Sequence, residues 1–297
     1  MNNEKLNWGI LSTGRIAELF TEGLQGSNHG LAYAVGSRTR ESATKFAGRY
    51  NIHNAYGTYE ELVQDRDIDV IYIGTPHTYH YENTRLALEA GKHVLCEKPF
   101  CINAAQVEEL ISLARDKGLF LMEAMWTRFL PAIKKIKQLL TDGAIGDISL
   151  FQADFGFASE FDPSSRLFAP KLGGGALLDV GIYPVSFAHY FLGKPISIEA
   201  KAQKGKTGVD ERISLLFEHE NNRFSTLAAA INTDTPIEAT IMGSGGYIKI
   251  HRRFFRAQKF TLQQKNKEPE IFEFPFNGNG YNYEADAVAQ AIKNGQK

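Results

Sequence analysis

Through the first part of the chain, short apolar runs alternate with longer stretches of helical character. Residues 6–11, 31–35, 69–73, 93–96 and 119–123 have the length and the apolar, β-branched content of buried strands. Helical stretches follow them: 12–24, 41–50, 59–63, 81–90 and 104–117, with a further short run near Ala55-Tyr56-Gly57. Strand and helix alternate with no hairpin signal, which predicts a parallel, doubly wound α/β sheet ending near Ala124. The pattern then changes. After a crossover at 125–131 and a helix at 132–140 ended by Gly143, strands dominate: 148–157, 196–204, 211–218, 224–231, 237–242, 247–251, 259–264 and 271–274. Several alternate apolar and polar positions, as a sheet with one solvated face does, so this half reads as an α+β domain with a mostly antiparallel sheet. One helix, 173–192, interrupts the strands, and Pro184 should kink it. The expected domains are residues 1–124 and 125–297.

Composition narrows the class. With 297 residues, 43% hydrophobic and 23% charged, the chain is long enough for two domains, and a net charge of −1 argues against nucleic acid or an anionic membrane as its main partner. The two cysteines, Cys96 and Cys101, make neither a disulfide framework nor a zinc site and read as reduced thiols of a cytoplasmic protein. Residues 1–5 lack the basic start and apolar core of a secretory leader. Asp179, Pro184 and His189 interrupt the most apolar long segment, 176–192, which is therefore not a membrane span. The chain stops at Lys297 directly after a helical segment with no terminal cap, so a shortened C-terminus is expected.

Chemistry concentrates at the ends of the first strands. Ser12-Thr13-Gly14-Arg15-Ile16-Ala17 is a variant of the dinucleotide fingerprint, with Ser12 at the first glycine, Gly14 at the second and Ala17 at the third. Gly14 would let the backbone approach a pyrophosphate, and the helix start beyond it offers free N–H groups and a positive dipole end. A tight turn with no ligand would give the same run. The second strand ends in Gly36-Ser37-Arg38-Thr39-Arg40, with no acid to hold a ribose 2′-hydroxyl. Ser37, Arg38 and Arg40 suit a 2′-phosphate, so NADP is expected, with NAD as the alternative; two arginines before a helix also fit a solvated face. Strand 69–73 leads to Gly74-Thr75-Pro76-His77-Thr78-Tyr79-His80, where the histidines are better assigned to a nicotinamide-pocket wall than to a metal, and no metal is expected. The strand at 93–96 ends in Glu97-Lys98-Pro99, which should project where a cofactor meets its substrate. Asp179 and Tyr183, four apart, share a helix face; a core helix with one hydrogen-bonded tyrosine would look the same.

Taken together, WGILSTGRIA (8–17), YEEL (59–62), YIGT (72–75), VLCEKP (94–99), LFLMEAMWTRFLP (119–131), GGALLDVGIY (174–183) and Gly208-Val209-Asp210 resemble the Gfo/Idh/MocA oxidoreductases, within them most the dihydrodiol dehydrogenases. The resemblance implies a Rossmann domain and an α/β domain whose large open sheet mediates dimers. It also implies reversible hydride transfer between a nicotinamide and a carbinol carbon of a diol or sugar-like substrate. On it, Tyr183 is the acid/base, Lys98 lowers its pKa and holds the nicotinamide ribose, and Asp179 orients the pair; alternatively Lys98 carries the proton. Trp126 and Phe155 are substrate-wall candidates that fit domain-interface core as well, Phe155 especially. Arg128 either contacts the cofactor or substrate or pins the crossover. Two other functions compete: an aldose dehydrogenase or keto-sugar reductase, and a non-catalytic NADP sensor, against which Lys98, Asp179 and Tyr183 together argue.

Overall fold

The computed structural model describes residues 5–297; the leader reading falls largely on residues 1–4, outside them. The chain forms two units: one runs up to Trp126 and takes in Phe276–Lys297, and the other is Thr127–Pro275.

The first unit is built on β1 (Leu6–Leu11), β2 (Gly30–Gly36), β3 (Asn54–Tyr56), β4 (Val70–Ile73), β5 (His93–Glu97) and β6 (Leu121–Ala124). They lie in the order β3-β2-β1-β4-β5-β6 with every neighbour parallel, the doubly wound sheet expected from the alternation. All four residues of β4 are buried, which is why its run is continuously apolar. Crossovers are made by α1 (Arg15–Gln25), α2 (Arg40–Tyr50), α3 (Tyr59–Gln64), α4 (His80–Glu89) and α5 (Ala104–Asp116). Thr39, Thr58 and Asn103 cap α2, α3 and α5 by accepting from Ser42, Glu61 and Gln106 N–H. Strand order reverses between β1 and β4, which opens a crevice beyond their carboxyl ends.

The C-terminal boundary differs from the expected one. Helix α8 (Tyr281–Lys293) belongs to the first unit, not the second. Its buried stripe of Tyr281, Ala285, Val288 and Ala289 needs an apolar partner and packs along α1. Asn279 Nδ2 donates to Leu19 O at 2.7 Å, and Asp286 accepts from Ser27 Oγ and from Asn28 and His29 N–H at 2.5–3.1 Å.

The second unit opens with α6 (Pro131–Thr141), which has proline at its first position, and holds α7 (Ile182–Leu192) against one face of its sheet. The sheet comprises β7 (Ile148–Gly156), β8 (Pro195–Lys204), β9 (Asp210–His219), β10 (Arg223–Ala230), β11 (Ala239–Gly243), β12 (Gly246–Ile250), β13 (Lys259–Gln264) and β14 (Glu270–Glu273). Its order is β14-β13-β12-β11-β7-β10-β9-β8, with only β7 and β10 parallel. The irregularity expected at Pro184 lies one turn earlier: Leu177–Gly181 is a π-type turn, and α7 runs unbroken through Pro184. A proline ring clashes with the carbonyl of residue i−4, here Val180, so the ladder widens where that carbonyl sits. Among the described residues no helix is long and apolar enough to cross a membrane.

Candidate active site

In the first unit, a groove of about 660 Å³ opens at the switch point, lined in part by Ser12, Thr13, Gly14, Ser37, Arg38, Thr75 and Pro76. The turn after β1 is held by Ser12, whose N–H donates to Gly36 O and whose hydroxyl accepts from Gly14 N–H, both at 3.1 Å. Ser12 sits at φ 131, a conformation that favours glycine, which the fingerprint usually carries at that position. Gly14 is the reverse case. Its φ of −78 suits any residue, and an added Cβ would meet nothing nearer than Ser12 Oγ at 3.4 Å. The fold does not demand glycine there; its bare backbone leaves room for a ligand to approach. Gly14 caps α1 with no side-chain hydrogen bond, so the first-turn amides, from Arg15 and Ile16 onward, have no side-chain cap, the arrangement suited to an anion. The space over Gly74 is closed by Ile16 and Ala17, which a Cβ there would meet at 3.3 and 3.5 Å, so the third fingerprint position serves helix-to-strand packing. These features fit a dinucleotide.

The end of β2 carries Ser37, buried and 3.4 Å from the Thr13 hydroxyl, and the exposed Arg38. Arg40 instead pairs with Glu61 at 3.8 Å, and Arg15 with Glu18 at 3.0 Å. Beyond β4, Asn83 Nδ2 donates to the Thr75 hydroxyl at 3.1 Å, and His77 is half-buried.

Two assignments change. His80 is 1% exposed, with its ring nitrogens 2.9 Å from Pro99 O and Thr75 O. It braces the loops after β4 and β5 from beneath and does not face the groove. Burial pushes its pKa down to about 4. Glu97 is turned inward rather than toward a ligand: it is 4% exposed, accepts from Tyr72 OH at 2.7 Å and from Lys98 N–H at 3.2 Å, and burial raises its pKa to about 7. Behind it, burial and the neighbouring Glu97 and Glu123 hold Glu284 of α8 well above the usual carboxylate range. Lys98 itself is half-buried. Trp126, 3% exposed, stacks on Tyr281 at 4.6 Å, the burial of a core residue. Cys96 and Cys101 are free and buried, and burial raises both thiols, Cys101 to about 11, so neither is a nucleophile.

In the second unit, Asp179 lies in the π-type turn and pairs with Arg166, while Tyr183 follows in the first turn of α7. Tyr183, 8% exposed, stands 5.5 Å from the Phe155 ring and 5.4 Å from Phe255, and those two stack at 4.6 Å. Arg128 donates to the Ser186 hydroxyl at 2.8 and 3.1 Å and lies over the Tyr190 ring at 5.4 Å, which pins it to α7.

Sequence reasoning missed Gly57, Thr58, Tyr59, Glu60, Tyr79 and Asn83 in the groove and Phe255 beside Tyr183. The usable signal was the place of the Tyr59–Leu62 run directly after β3, next to the Arg38 strand end.

A parallel doubly wound sheet whose switch-point turn leaves space over a glycine and uncapped helix amides defines a dinucleotide-binding protein of the Rossmann class. The chain belongs to the Gfo/Idh/MocA oxidoreductases: residues 6–125 match the family described as "Oxidoreductase family, NAD-binding Rossmann fold", and residues 133–249 match its C-terminal domain. It is a dehydrogenase or reductase acting on CH–OH groups. It is 39% identical to trans-1,2-dihydrobenzene-1,2-diol dehydrogenase of Xenopus tropicalis and 37% to that of Homo sapiens, in each case over 98% of this chain and 90% of the relative. Among solved structures it resembles a 3-ketoreductase from Actinomadura kijaniata in complex with NADP and TDP-benzene (TM-score 0.87, 27% identity, 98% of this chain and 91% of that one). It also resembles an aldose-aldose oxidoreductase from Caulobacter crescentus (TM-score 0.91, 26% identity, 99% and 91%).

Proposed function

We propose that this oxidoreductase uses NADP to oxidise a vicinal diol of the trans-1,2-dihydrobenzene-1,2-diol type, or to reduce the corresponding hydroxyketone. The observation that carries the cofactor reading is the groove itself, with open space over Gly14 beside uncapped α1 amides and Arg38 as the only cation among the described residues of its lining. Ser12, Thr13 and Gly14 with the amides of Arg15 and Ile16 would hold the pyrophosphate, Ser37 and Arg38 the 2′-phosphate, and Thr75, Pro76, His77 and Lys98 the nicotinamide half. The bound nicotinamide supplies the hydride acceptor or donor.

Tyr183 takes the hydroxyl proton in oxidation and returns it in reduction. A free tyrosine, with pKa near ~10, is a weak base at neutral pH, and an ammonium, the role proposed for Lys98, would favour the phenolate. Asp179 orients the tyrosine's turn, and the Phe155 and Phe255 rings offer an apolar wall to a flat substrate. The diol assignment is supported by the relatives' names and their 37–41% identity. A sugar alcohol or ketosugar is the second reading, favoured by likeness to the ketoreductase and the aldose oxidoreductase. The protein acts as a homodimer through its second sheet, whose strand β8 exposes Ile196 and Ile198.

Lys98→Met tests the reading. With the diol and NADP, turnover should fall at least about a hundredfold, the scale of acid/base groups. Near-normal turnover in a folded variant refutes it.

A further inference from the structure

The helical path that carries Asp179 and Tyr183 starts without a cap of its own. It begins at Ala176, straight after Gly173-Gly174-Gly175, so the residues just ahead of it have no side chain to take up its first amides. The acceptor comes from another element. Asp210, the half-buried first residue of β9, accepts from the Leu177 N–H at 2.7 Å, and the Ala176 N–H also reaches its carboxylate. The glycine run makes room for it: Gly175 sits at φ 130, and a Cβ there would collide with the Asp210 carboxylate. On either side of this capped pair the amides are engaged by backbone. Gly175 N–H donates to Leu167 O at 2.9 Å, and Asp179 N–H to Gly175 O at 3.2 Å.

The cap acts on a sensitive piece of helix. Leu177–Gly181 is the π-type turn, wound wider than an α turn; Asp179 lies inside it and Tyr183 beyond it. With 3.6 residues to a turn, a start that slips by one residue rotates the upstream side chains by about 100° relative to Tyr183. Downstream the path is held by packing and by a hydrogen bond. A Cβ on Gly181 would meet Ala229 of β10 at 3.3 Å, and Ser186 accepts from Arg128 at 2.8 Å. At the upstream end the side-chain tie is Asp210. We infer that Asp210 is a positioning residue for the reaction: its carboxylate, reaching over Gly175 from β9, fixes the start of the π-type turn and so the angle at which Asp179 and Tyr183 are presented. This rests on the reading of Tyr183 as the proton acceptor.

The test is single-turnover reduction of NADP by trans-1,2-dihydrobenzene-1,2-diol with the whole chain, read as a rate constant and an amplitude. Asp210→Ala should lower the rate constant about ten- to a hundredfold at full amplitude, as a misplaced acid/base group does. Asp210→Asn leaves an acceptor oxygen for Leu177 and should stay within about threefold of the wild type. The groove residues lie in the first unit, so the Kd for NADPH should change by less than about twofold in both variants. A reduced amplitude with the wild-type rate constant means that only the folded fraction fell, and overturns the inference. An Asp210→Asn variant as slow as the alanine one overturns it too, as does a Kd raised in step with the rate loss. Should Asp210→Ala fail to fold by circular dichroism, Asp210→Glu decides. It keeps charge and acceptor but moves them by a methylene, so a slowed rate constant supports the inference and a wild-type one overturns it. Tyr183→Phe separates the two readings. Full rate in Tyr183→Phe removes the tyrosine mechanism and this inference with it; a slow Tyr183→Phe beside a fast Asp210→Ala removes the inference alone.

Discussion

Replacing Arg38 with alanine asks whether the end of β2 reads a phosphate. Among the described residues lining the groove, Arg38 is the only cation and Glu60 the only anion. Burial raises the Tyr59 phenol above its usual value and the Arg38 guanidinium opposes part of that rise, so its charge is felt at this wall of the groove. Hydrogen bonds to a charged partner contribute about 1.5–3 kcal/mol; an exposed arginine belongs at the low end, about 1.5–2 kcal/mol. That converts to a Kd for NADPH raised roughly 10- to 30-fold. NADH has no 2′-phosphate, so its affinity should change less than about threefold. Arg40→Ala is the control: Arg40 pairs with Glu61 at 3.8 Å and does not line the groove, so it should leave both cofactors nearly unaffected. Fluorescence titration of reduced cofactor against the three proteins measures all of this, and the NADPH effect should shrink as salt rises. Equal binding of NADPH and NADH, indifferent to Arg38, would refute the assignment of this strand end; equal weakening of both would make Arg38 a general wall residue.

Three further outcomes follow from the geometry. Ser12→Gly and Ser12→Ala both lose the hydroxyl that accepts from Gly14, but only alanine keeps a side chain at φ 131, so the glycine variant should be the more stable by about 1–3 kcal/mol in urea unfolding; equal stabilities would deny the strain. Glu97, with its folded pKa raised to about 7 from 4.5, binds more protons folded than unfolded between those values, so it costs stability as pH rises through that window. Glu97→Gln should therefore gain on the wild type by roughly 2–3 kcal/mol between pH 5 and pH 8; a pH-independent offset would show that Glu97 does not titrate there. Ile198, 59% exposed on edge strand β8, should be the weak point of a sheet-mediated dimer, so Ile198→Lys should convert the sedimenting species to monomer; an unchanged species would move the interface elsewhere.

The parallel sheet was legible because apolar strands and helices alternate without hairpins, and the second sheet because polar alternation runs from strand to strand. What pattern alone could not supply was the partner of each buried face. The stripe of α8 says that Tyr281, Ala285 and Val288 are covered, but not that α1, more than two hundred residues earlier, covers them. The same limit applies at the strand ends. Glu97 and His80 carry the residue types of a site, yet whether a side chain at the end of β5 points out or in depends on Tyr72 in the neighbouring strand, which offers it a hydroxyl. Phe255 reaches Tyr183 through a turn in which Arg253 adopts φ 63, a conformation no hydrophobic pattern encodes.

The inward Glu97 and His80 also show how the first unit holds its most chemical residue still. Apolar filling beneath a loop sets a distance but leaves backbone carbonyls and amides unsatisfied, at about 1–3 kcal/mol for each buried orphan. Here the loop after β5 is tied on both sides of Lys98: Glu97 accepts from the Lys98 N–H, and the Pro99 carbonyl faces His80. The same imidazole meets the Thr75 carbonyl of the loop after β4. A neutral ring donates to one carbonyl only, so with burial pushing its pKa down to about 4 the imidazole hydrogen-bonds one of the two loops at a time. The backbone on either side of Lys98 is thus held by buried residues beneath the loop. The acid of the Glu97-Lys98-Pro99 run holds the backbone of the lysine that the proposed mechanism uses, from the buried side of the loop.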